Sequence, residues 1–288
     1  MMKTRFDYSE ISQTAWCPGC GNMVLLRILR EALEELDLDP TRVVISSGIG
    51  QAAKMPQYLK VNYFNGLHGR ALPAATAVKM VNPELTVIAE GGDGDMYGEG
   101  GNHFLHTIRR NPDIVHLVHN NMVYGLTQGQ ASPTSRRGFV TPVQVFGVVT
   151  EPLNPLTLAL SLGATFVARA FVGNKDHTRE IIKAAVRHKG YALVDIFDPC
   201  VSFNKINTFK WYKENTVAVA PPYDPADKPG AIRKASEENP FALGILYRRT
   251  EPKPTLEDQI TVYEDDKTPV TGRKRTGEML NHLLRSHA

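Results

Sequence analysis

Residues 85–95 read LTVIAEGGDGD, an apolar run followed by a turn of glycine and aspartate. A short apolar run bounded by such turn residues predicts a buried strand that ends in a tight loop. Residues 114–121, IVHLVHNN, repeat the arrangement with asparagines at the end of the run. The two stretches therefore predict two buried strands, each followed directly by polar side chains.

Similar apolar runs alternate with helical stretches on both sides of this pair. Further strands are predicted at residues 42–46, 165–172 and 192–197. From Gly21 onward apolar residues recur every three or four positions, which predicts a helix. More helices are predicted at residues 71–81, 101–110, 155–162 and 178–188. Strands alternating with helices over residues 20–200 predict an α/β fold with a mostly parallel sheet and helices on both faces.

The composition excludes several broad classes of protein. Over 288 residues, 33 Lys and Arg stand against 30 Asp and Glu, a net charge of +3 that gives no footprint for binding nucleic acid. Hydrophobic residues at 42% and charged residues at 22% exclude a wholly disordered chain. There is no apolar run long enough to span a membrane and no apolar core of a signal peptide, so we expect a cytoplasmic protein.

The last third of the chain differs in composition from the rest. Residues 201–288 contain few periodic apolar stretches and many Pro, Lys, Asp and Glu residues. We therefore predict an α/β domain over residues 1–200, which includes a polar N-terminal arm. Residues 201–288 are predicted to form an extended C-terminal tail that wraps a partner subunit, with a helix or two near residues 271–285.

The two polar turns are spaced as one strand–helix–strand unit. Asp93 and Asn121 are 28 positions apart, so both turns should lie at the carboxyl edge of neighbouring parallel strands, where open α/β sheets bind ligands. A carboxylate and an amide oxygen suit Mg²⁺, which usually shares its ligands with substrate phosphates. Glycines at 92 and 94 let the backbone approach a diphosphate closely. Each turn taken alone indicates an ordinary surface loop, whereas the two together at this spacing indicate a diphosphate–metal site.

Three cysteines stand out because their number does not suit a disulfide scaffold. Cys17 and Cys20 form a C-x-x-C pair before the first helix, and Cys200 follows a predicted strand and can join them in space. A thioredoxin-type pair should follow a strand, and only a polar arm precedes this one. Zinc and iron–sulfur sites both normally use four ligands, so the residues alone leave open a metal site, a cluster or small core side chains.

The combination of these motifs resembles a known family. A GDG sequence followed after about 25 residues by NN is similar to the thiamine diphosphate motif. Residues 91–103 (GGDGDMYGEGGNH) and 120–134 (NNMVYGLTQGQASPT), together with 17–21 (CPGCG) and 47–50 (SGIG), resemble the β subunit of 2-oxoacid:ferredoxin oxidoreductases. The similarity covers about residues 10–210 and is greatest to the 2-oxoglutarate branch. It implies the diphosphate-binding domain of the thiamine diphosphate-binding fold.

The resemblance also implies roles for individual residues. Asp93, the Asn121 side chain and the Val123 carbonyl would bind Mg²⁺. The residues that would line thiamine diphosphate are Ile49, Gly50, Gln51, His68, Gly92, Gly94, Asp95, Asn121, Val123, Gly125, Leu126 and Thr127. His68 and Thr127 would lie among the catalytic residues, although a hydrogen-bonded core histidine is an equal alternative for His68.

The family's four-iron cluster is implied at the cysteines, with one departure. Cys17, Cys20 and Cys200 match the expected ligands, but Gln51 stands where a third cysteine is expected after the SGIG turn. Either a non-cysteine ligand completes the cluster, or a three-iron cluster forms, or the chain holds no cluster.

Two residues favour a particular substrate. Lys54 follows the loop expected to face the thiazolium, where its ammonium can pair with the distal carboxylate of a dicarboxylic 2-oxoacid. Leu126 stands where pyruvate-specific relatives commonly place an amide. Together Lys54 and Leu126 resemble the arrangement in enzymes that accept 2-oxoglutarate. The alternative for Lys54 is a solvated loop lysine.

The expected activity is the oxidative decarboxylation of 2-oxoglutarate with coenzyme A to succinyl-coenzyme A and CO₂, with electrons passing through an iron–sulfur cluster to ferredoxin. An α subunit should supply the other half of the cofactor site, giving a heterodimer or a dimer of heterodimers. Three alternatives remain: another 2-oxoacid such as pyruvate, a non-oxidative decarboxylase without a cluster, and a non-catalytic metal-binding module.

Overall fold

The computed structural model describes residues 4–8, 14–266, 268–274 and 276–286. Within these residues the strands are β1 (Val43–Ser47), β2 (Asn62–Asn65), β3 (Thr86–Gly92), β4 (Val115–Asn120), β5 (Phe166–Phe171), β6 (Ala192–Phe197), β7 (Thr216–Ala218) and β8 (Phe241–Arg248). The helices are α1 (Gly21–Glu35), α2 (Ala71–Val81), α3 (Gly101–Arg110), α4 (Pro155–Ser161), α5 (Lys175–Arg187), α6 (Phe209–Glu214), α7 (Lys228–Ser236) and α8 (Gly277–Ser286).

The strands form one sheet in the order β2-β1-β3-β4-β6-β5-β8-β7. From β2 to β5 every neighbouring pair is parallel, whereas β8 pairs antiparallel with β5 and parallel with β7. Parallel neighbours need a crossover between them, and α2, α3 and α5 each lie between two strands of the parallel part. The predicted α/β fold with a mostly parallel sheet is confirmed.

An apolar core covers each face of the sheet. On one face α1 and α5 contribute buried side chains such as Leu29 and Ile181, and on the other α2, α3, α4 and α7 contribute side chains such as Phe104. Successive residues of β3 alternate between the two cores, with Ile88 in the first and Ala89 in the second, because side chains alternate along a strand. A fully buried leucine such as Leu29 contributes about 2 kcal/mol to stability.

Several element boundaries agree with the predictions. α2 and α3 begin and end at the predicted residues, and so does the strand β6. α3 ends because Asn111 adopts a left-handed conformation with φ 53°, which asparagine tolerates better than most residues. Arg109 and Arg110 in its last turn suit the negative end of the helix dipole. None of the helices among the described residues has the length and apolar character needed to cross a membrane.

The prediction that the whole of residues 201–288 forms a tail outside the domain needs correction. β8 lies inside the sheet between β5 and β7, and six of its first seven residues are buried. Its sequence, FALGILYR, is an apolar run of strand length whose partner is reached only through an antiparallel pairing. After Arg248 the chain leaves the sheet and forms short 3₁₀ turns and α8. The predicted helix near residues 271–285 corresponds to α8.

The described part of the N-terminal arm is tied to the domain. The Phe6 ring is fully buried in the core, and the Phe6 carbonyl accepts a hydrogen bond of 2.8 Å from the Lys60 amide. Arg5 pairs with Glu34 of α1 at 3.2 Å. These contacts hold the start of the arm against α1 and the segment before β2.

Candidate active site

Apart from Gly92, the last residue of β3, and Cys17 and Cys20, which precede α1, the predicted site residues lie on loops that follow the parallel strands. Because these strands run in one direction, the loops at their carboxyl ends share one edge of the sheet. The loop after β1 contains Ile49, Gly50, Gln51 and Lys54. His68 follows β2, and the turn after β3 contains Asp93, Gly94 and Asp95. The remaining residues are Asn121, Val123, Gly125, Leu126 and Thr127 after β4 and Cys200 after β6. Gly92 pairs with His119 in the β3–β4 register, so the predicted adjacency of the two polar turns is confirmed.

Asp93 is a buried carboxylate held by two hydroxyl groups. Its side chain is 1% exposed. Its Oδ2 accepts hydrogen bonds of 2.5 Å from Ser132 Oγ and 2.5 Å from Thr134 Oγ1. Burial raises the pKa of Asp93 to about 6, against the lowering effect of the two hydroxyl groups. A buried carboxylate destabilised in this way is a good ligand for a cation, which supplies the missing positive charge.

Asn121 follows β4, the strand beside that of Asp93, and hydrogen bonds within the turn after β4 hold its side chain in place. Its Oδ1 accepts a hydrogen bond of 3.0 Å from the Val123 amide, and its carbonyl accepts one of 3.0 Å from Asn204 Nδ2. Met122, which lies between Asn121 and Val123 in the chain, has a left-handed backbone conformation with φ 57°. An amide oxygen has two lone pairs, so Oδ1 keeps one acceptor site for a metal while the other holds the turn. This donor set fits a hard oxygen-seeking ion such as Mg²⁺.

The two glycines of the β3 turn have different neighbours. A Cβ atom at Gly92 would have no atom nearer than 3.9 Å, so this point of the edge is open. A Cβ atom at Gly94 would lie 2.2 Å from the Tyr124 ring. Gly94 is therefore needed for the close packing of the β3 and β4 loops, and Gly92 leaves room beside the strand end.

His68 and Asp95 form a dyad at this edge. His68 Nδ1 lies 2.6 Å from Asp95 Oδ1, which also accepts the amides of Gly69 at 2.8 Å and Ile49 at 3.1 Å. Burial raises the pKa of Asp95, against these hydrogen bonds. His68 Nε2 is 3.4 Å from Glu99 Oε2, and the His68 side chain is 37% exposed. The alternative of a core histidine does not fit this exposure, since Asp95 orients a ring that faces the edge of the sheet.

The three cysteines come together at one pocket. Cys17 and Cys20 precede α1, Cys200 follows β6, and all three line a small pocket together with Gln51 and Asn121. Burial raises the pKa of the Cys20 thiol to about 12, with a further contribution from the Asp198 carboxylate. Metal binding must therefore displace this proton. Among the described residues no group of three or more His, Cys, Asp or Glu side chains is arranged to hold a single metal ion.

The residues predicted to select the substrate lie after β1 and β4, the strands on either side of β3 in the sheet. Lys54 lies in a 3₁₀ segment (Ala52–Tyr58) and is partly buried, and its ammonium forms no ion pair or hydrogen bond within the described part of the chain. Leu126 is 41% exposed. Thr127 is exposed and donates a hydrogen bond of 2.5 Å to Gln130 Oε1, so its hydroxyl braces the loop.

Comparison with known proteins gives one consistent family. Residues 46–196 match the model for the C-terminal TPP-binding domain of thiamine pyrophosphate enzymes, and residues 200–265 match the C-terminal model of the pyruvate ferredoxin oxidoreductase β subunit. A relative from Aeropyrum pernix, "2-oxoacid:ferredoxin oxidoreductase 1, subunit beta", is 45% identical over 244 residues, which is 81% of this chain and 77% of the relative. The chain belongs to the β subunits of 2-oxoacid:ferredoxin oxidoreductases.

Other members of this family extend the comparison. The "2-oxoglutarate oxidoreductase subunit KorB" of Mycobacterium tuberculosis is 42% identical over 198 residues, covering 69% of this chain and 53% of that protein. A solved structure is titled "2-oxoglutarate:ferredoxin oxidoreductase from Magnetococcus marinus with 2-oxoglutarate, coenzyme A and succinyl-CoA bound". It superposes with a TM-score of 0.87 at 32% identity over 99% of this chain and 100% of that one.

Membership in the 2-oxoacid:ferredoxin oxidoreductases makes the chain part of a thiamine diphosphate-dependent oxidoreductase that works with an α subunit. The site fits that cofactor. An open strand end at Gly92 lies beside a buried carboxylate and an amide oxygen, which is the donor set that a diphosphate-bound Mg²⁺ requires.

Three site residues of this β subunit were missed by the sequence predictions. Ser132 and Thr134 hold Asp93, and Glu99 contacts His68 Nε2 and accepts a hydrogen bond of 3.0 Å from the Tyr124 hydroxyl. All three lie inside the stretches that carry the family resemblance, GGDGDMYGEGGNH and NNMVYGLTQGQASPT. Their position inside these stretches is the only sequence feature that indicated a role at the site. Serine, threonine and glutamate are too common in loops to be selected by residue type.

Proposed function

We propose that this chain is the β subunit of a 2-oxoglutarate:ferredoxin oxidoreductase. The observation that carries the choice of substrate is Lys54, a partly buried residue whose ammonium forms no ion pair or hydrogen bond within the described residues. An ammonium without a partner in the described part of the chain is available to bind an anionic group of a ligand. The distal carboxylate of 2-oxoglutarate supplies the partner, whereas pyruvate has no second carboxylate. The names of the Mycobacterium tuberculosis relative and of the Magnetococcus enzyme support the same choice.

The proposed reaction converts 2-oxoglutarate and coenzyme A to succinyl-coenzyme A and CO₂. Two electrons and one proton are released, and each electron reduces one oxidised ferredoxin. Ferredoxin is a one-electron carrier, so the electrons have to leave singly. We propose that the iron–sulfur cluster of this subunit passes them on.

Within this subunit Asp93, Asn121 Oδ1 and the Val123 carbonyl would bind Mg²⁺ and thereby the diphosphate. Thiamine diphosphate supplies the electron sink for decarboxylation when it is bound. Ser132 and Thr134, which donate hydrogen bonds to Asp93, would keep its carboxylate oriented for binding the metal. His68, oriented by Asp95, places Nε2 at the edge of the sheet, where it can hold or accept a proton.

The cysteine pocket is the proposed cluster site. Cys17, Cys20 and Cys200 bring soft thiolates to one place, and Asn121 lines the same pocket from the metal-binding turn. The cluster would therefore lie next to the cofactor site, which suits electron transfer between them. Soft thiolate ligands select iron–sulfur clusters over hard ions.

The proposal includes an α subunit, ferredoxin and a cytoplasmic location. Reduced thiols at the cluster site are expected in a reducing compartment. The chain after Arg248 lies outside the sheet, and we propose that this segment wraps the partner subunit.

Lys54→Ala should raise the KM for 2-oxoglutarate about tenfold or more and change the KM for pyruvate little. A hydrogen bond to a charged group contributes about 1.5–3 kcal/mol, and about 1.4 kcal/mol corresponds to a factor of ten. Steady-state kinetics of the α–β complex with both substrates measure the difference. Lys60→Ala, which removes an exposed lysine six residues away, is the matched control. An equal rise in KM for both substrates would remove the basis for choosing 2-oxoglutarate.

One experiment separates the remaining alternatives. The complex is purified anaerobically with its α subunit, analysed for iron and sulfide, and assayed with several 2-oxoacids. Ferredoxin reduction that is fastest with 2-oxoglutarate supports the proposal, and a preference for pyruvate contradicts it. CO₂ release without iron and without ferredoxin reduction would instead identify a non-oxidative decarboxylase, and failure to bind thiamine diphosphate would identify a non-catalytic module.

A further inference from the structure

Gln51 is one of the residues that line the cysteine pocket. It follows Gly50, whose φ of 131° allows the sharp turn after β1. The Gln51 carbonyl accepts a hydrogen bond of 2.8 Å from Trp16 Nε1, so its backbone is tied to the residue before Cys17. Gln51 lines the pocket together with Cys17, Cys20 and Cys200. Three thiols and the Gln51 amide therefore line the same space. Asn22 and Asn121 line it too, but the side-chain oxygen of Asn22 is paired with His119 Nδ1 and that of Asn121 with the Val123 amide.

The amide oxygen of Gln51 has no partner that the fold provides. Its Oε1 is buried, and no hydrogen-bond donor reaches it from the described residues. A buried acceptor left unpaired costs about 1–3 kcal/mol, and such groups in native proteins usually have a partner such as an ion or a water. The residues that share its pocket include three soft metal ligands. An iron ion is the partner that uses both the thiols and the amide oxygen.

Asp198 is the competing oxygen donor, because it lines the same pocket and its Oδ1 is also buried and unpaired within the described residues. Its carboxylate packs directly on Gly21, where a Cβ atom would lie 1.8 Å from Oδ1. Its Oδ2 lies 3.7 Å from His119 Nδ1, and His119 Nε2 is 3.2 Å from Glu90 Oε1. Asp198 thus already serves a buried charge network, whereas the Gln51 side chain serves none.

We infer that the Gln51 amide oxygen is the fourth ligand of the iron–sulfur cluster. This inference rests on the cluster of the proposed function. Three irons would then have thiolate ligands and one would have a neutral oxygen ligand. A neutral amide also adds no fourth negative charge to a partly buried site, where each unpaired charge is costly.

The inferred ligand set makes one iron easier to remove than the other three. Soft thiolates hold iron more firmly than a neutral oxygen does in such a cluster. Oxidation by ferricyanide would then convert a four-iron cluster of charge 2+ to a three-iron cluster of charge 1+. This step releases one Fe²⁺ and transfers one electron to ferricyanide, so charge and iron both balance.

The test compares the wild type with Gln51→Cys and Gln51→Ala in the anaerobically purified α–β complex. Each is treated with ferricyanide, followed by iron and sulfide analysis and electron paramagnetic resonance. We expect the wild type to lose one iron in four and show the signal of a three-iron cluster. Gln51→Cys should keep all its iron, and Gln51→Ala should lose that iron more readily than the wild type. Mössbauer spectra of ⁵⁷Fe-enriched wild type should show one iron site distinct from the rest.

Controls separate failure of this inference from failure of the proposed function. Gln57→Ala removes an exposed glutamine from the neighbouring 3₁₀ segment and should behave as wild type. Gln51→Ala indistinguishable from wild type would overturn the inference, and so would loss of the distinct iron in Asp198→Asn alone. Absence of iron and sulfide in all variants, Gln51→Cys included, would instead overturn the cluster of the proposed function.

Discussion

Asp93→Asn should lower 2-oxoacid oxidation by the assembled enzyme about a hundredfold or more, and should make the chain more stable in the absence of Mg²⁺. Loss of an outer-shell partner alone typically costs 10–100-fold in metal affinity or activity, and here the proposed ligand itself loses its charge. The asparagine can still accept the hydroxyl groups of Ser132 and Thr134, so the loop should keep its fold. Thiamine diphosphate titrations with Mg²⁺ and assays of the complex measure the first effect.

The gain in unfolding stability expected for Asp93→Asn should increase as pH rises. Burial raises the pKa of Asp93 from 3.8 to about 6. The native carboxyl therefore binds its proton more tightly than the unfolded one, and stability falls as pH rises from about 4 to about 6. Above pH 6 the cost is fully present, on the order of 3 kcal/mol. Asp93→Asn removes this cost, so its advantage in urea unfolding should be largest near neutral pH and should vanish near pH 4.

Without Mg²⁺, Asp93→Asn should be more stable than the wild type. Adding Mg²⁺ with thiamine diphosphate should make the wild type the more stable of the two, because ligands stabilise the state that binds them and we expect only the wild type to bind this pair. Ser132→Ala is the matched control, because it removes a hydrogen bond to Asp93 and leaves the charge. An Asp93→Asn complex with full activity would show that Asp93 is not a metal ligand.

The central strands of the fold could be predicted because their signal is local. LTVIA and IVHLV are short apolar runs with turn residues directly after them, and two such runs separated by one helix leave few arrangements other than parallel neighbours. The position of Asp93 beside Asn121's strand follows from that pairing alone. This part of the site therefore required no information from distant parts of the chain.

β8 shows where local signals stop. FALGILYR is as apolar as the predicted strands, but it follows a long polar stretch and pairs antiparallel with β5, about 70 residues earlier in the chain. No alternation of strand and helix points to such a partner. Its place in the sheet depends on tertiary pairing, and composition over residues 201–288 misrepresented one buried segment within an otherwise polar region.

The hydrogen bonds of the site also could not be predicted from local sequence. Asp95 was predicted to line the cofactor, and its carboxylate also joins the loops after β1 and β2 through Ile49, His68 and Gly69. That role requires three backbone segments to meet, which no spacing within the GDGD turn indicates. The residue type suggested chemistry at this edge, and only the fold shows that Asp95 acts on His68.

Purified without its α subunit, this chain should show no 2-oxoacid oxidation above background, even with thiamine diphosphate, Mg²⁺ and an intact cluster. The site is one-sided, because Ile49 at 37%, Leu67 at 74% and Leu126 at 41% exposure surround it with solvent-accessible apolar side chains. Enzyme sites of this kind gain their electrostatic strength by excluding water, and ligand pockets usually bury most of the ligand. Half of a cofactor site leaves the reactive part of the cofactor exposed to solvent.

Reconstitution distinguishes an incomplete site from a misfolded chain. Titrating purified α subunit into the isolated chain should restore ferredoxin reduction in proportion to complex formed, with saturation at one α subunit for each chain. The cooperative unfolding of the isolated chain provides the check that it is folded before mixing. Substantial turnover by the chain alone would mean that residues of this edge complete the cofactor site by themselves. In that event the exposure of Leu67 and Leu126 would need another explanation, such as closure of their loops over the cofactor.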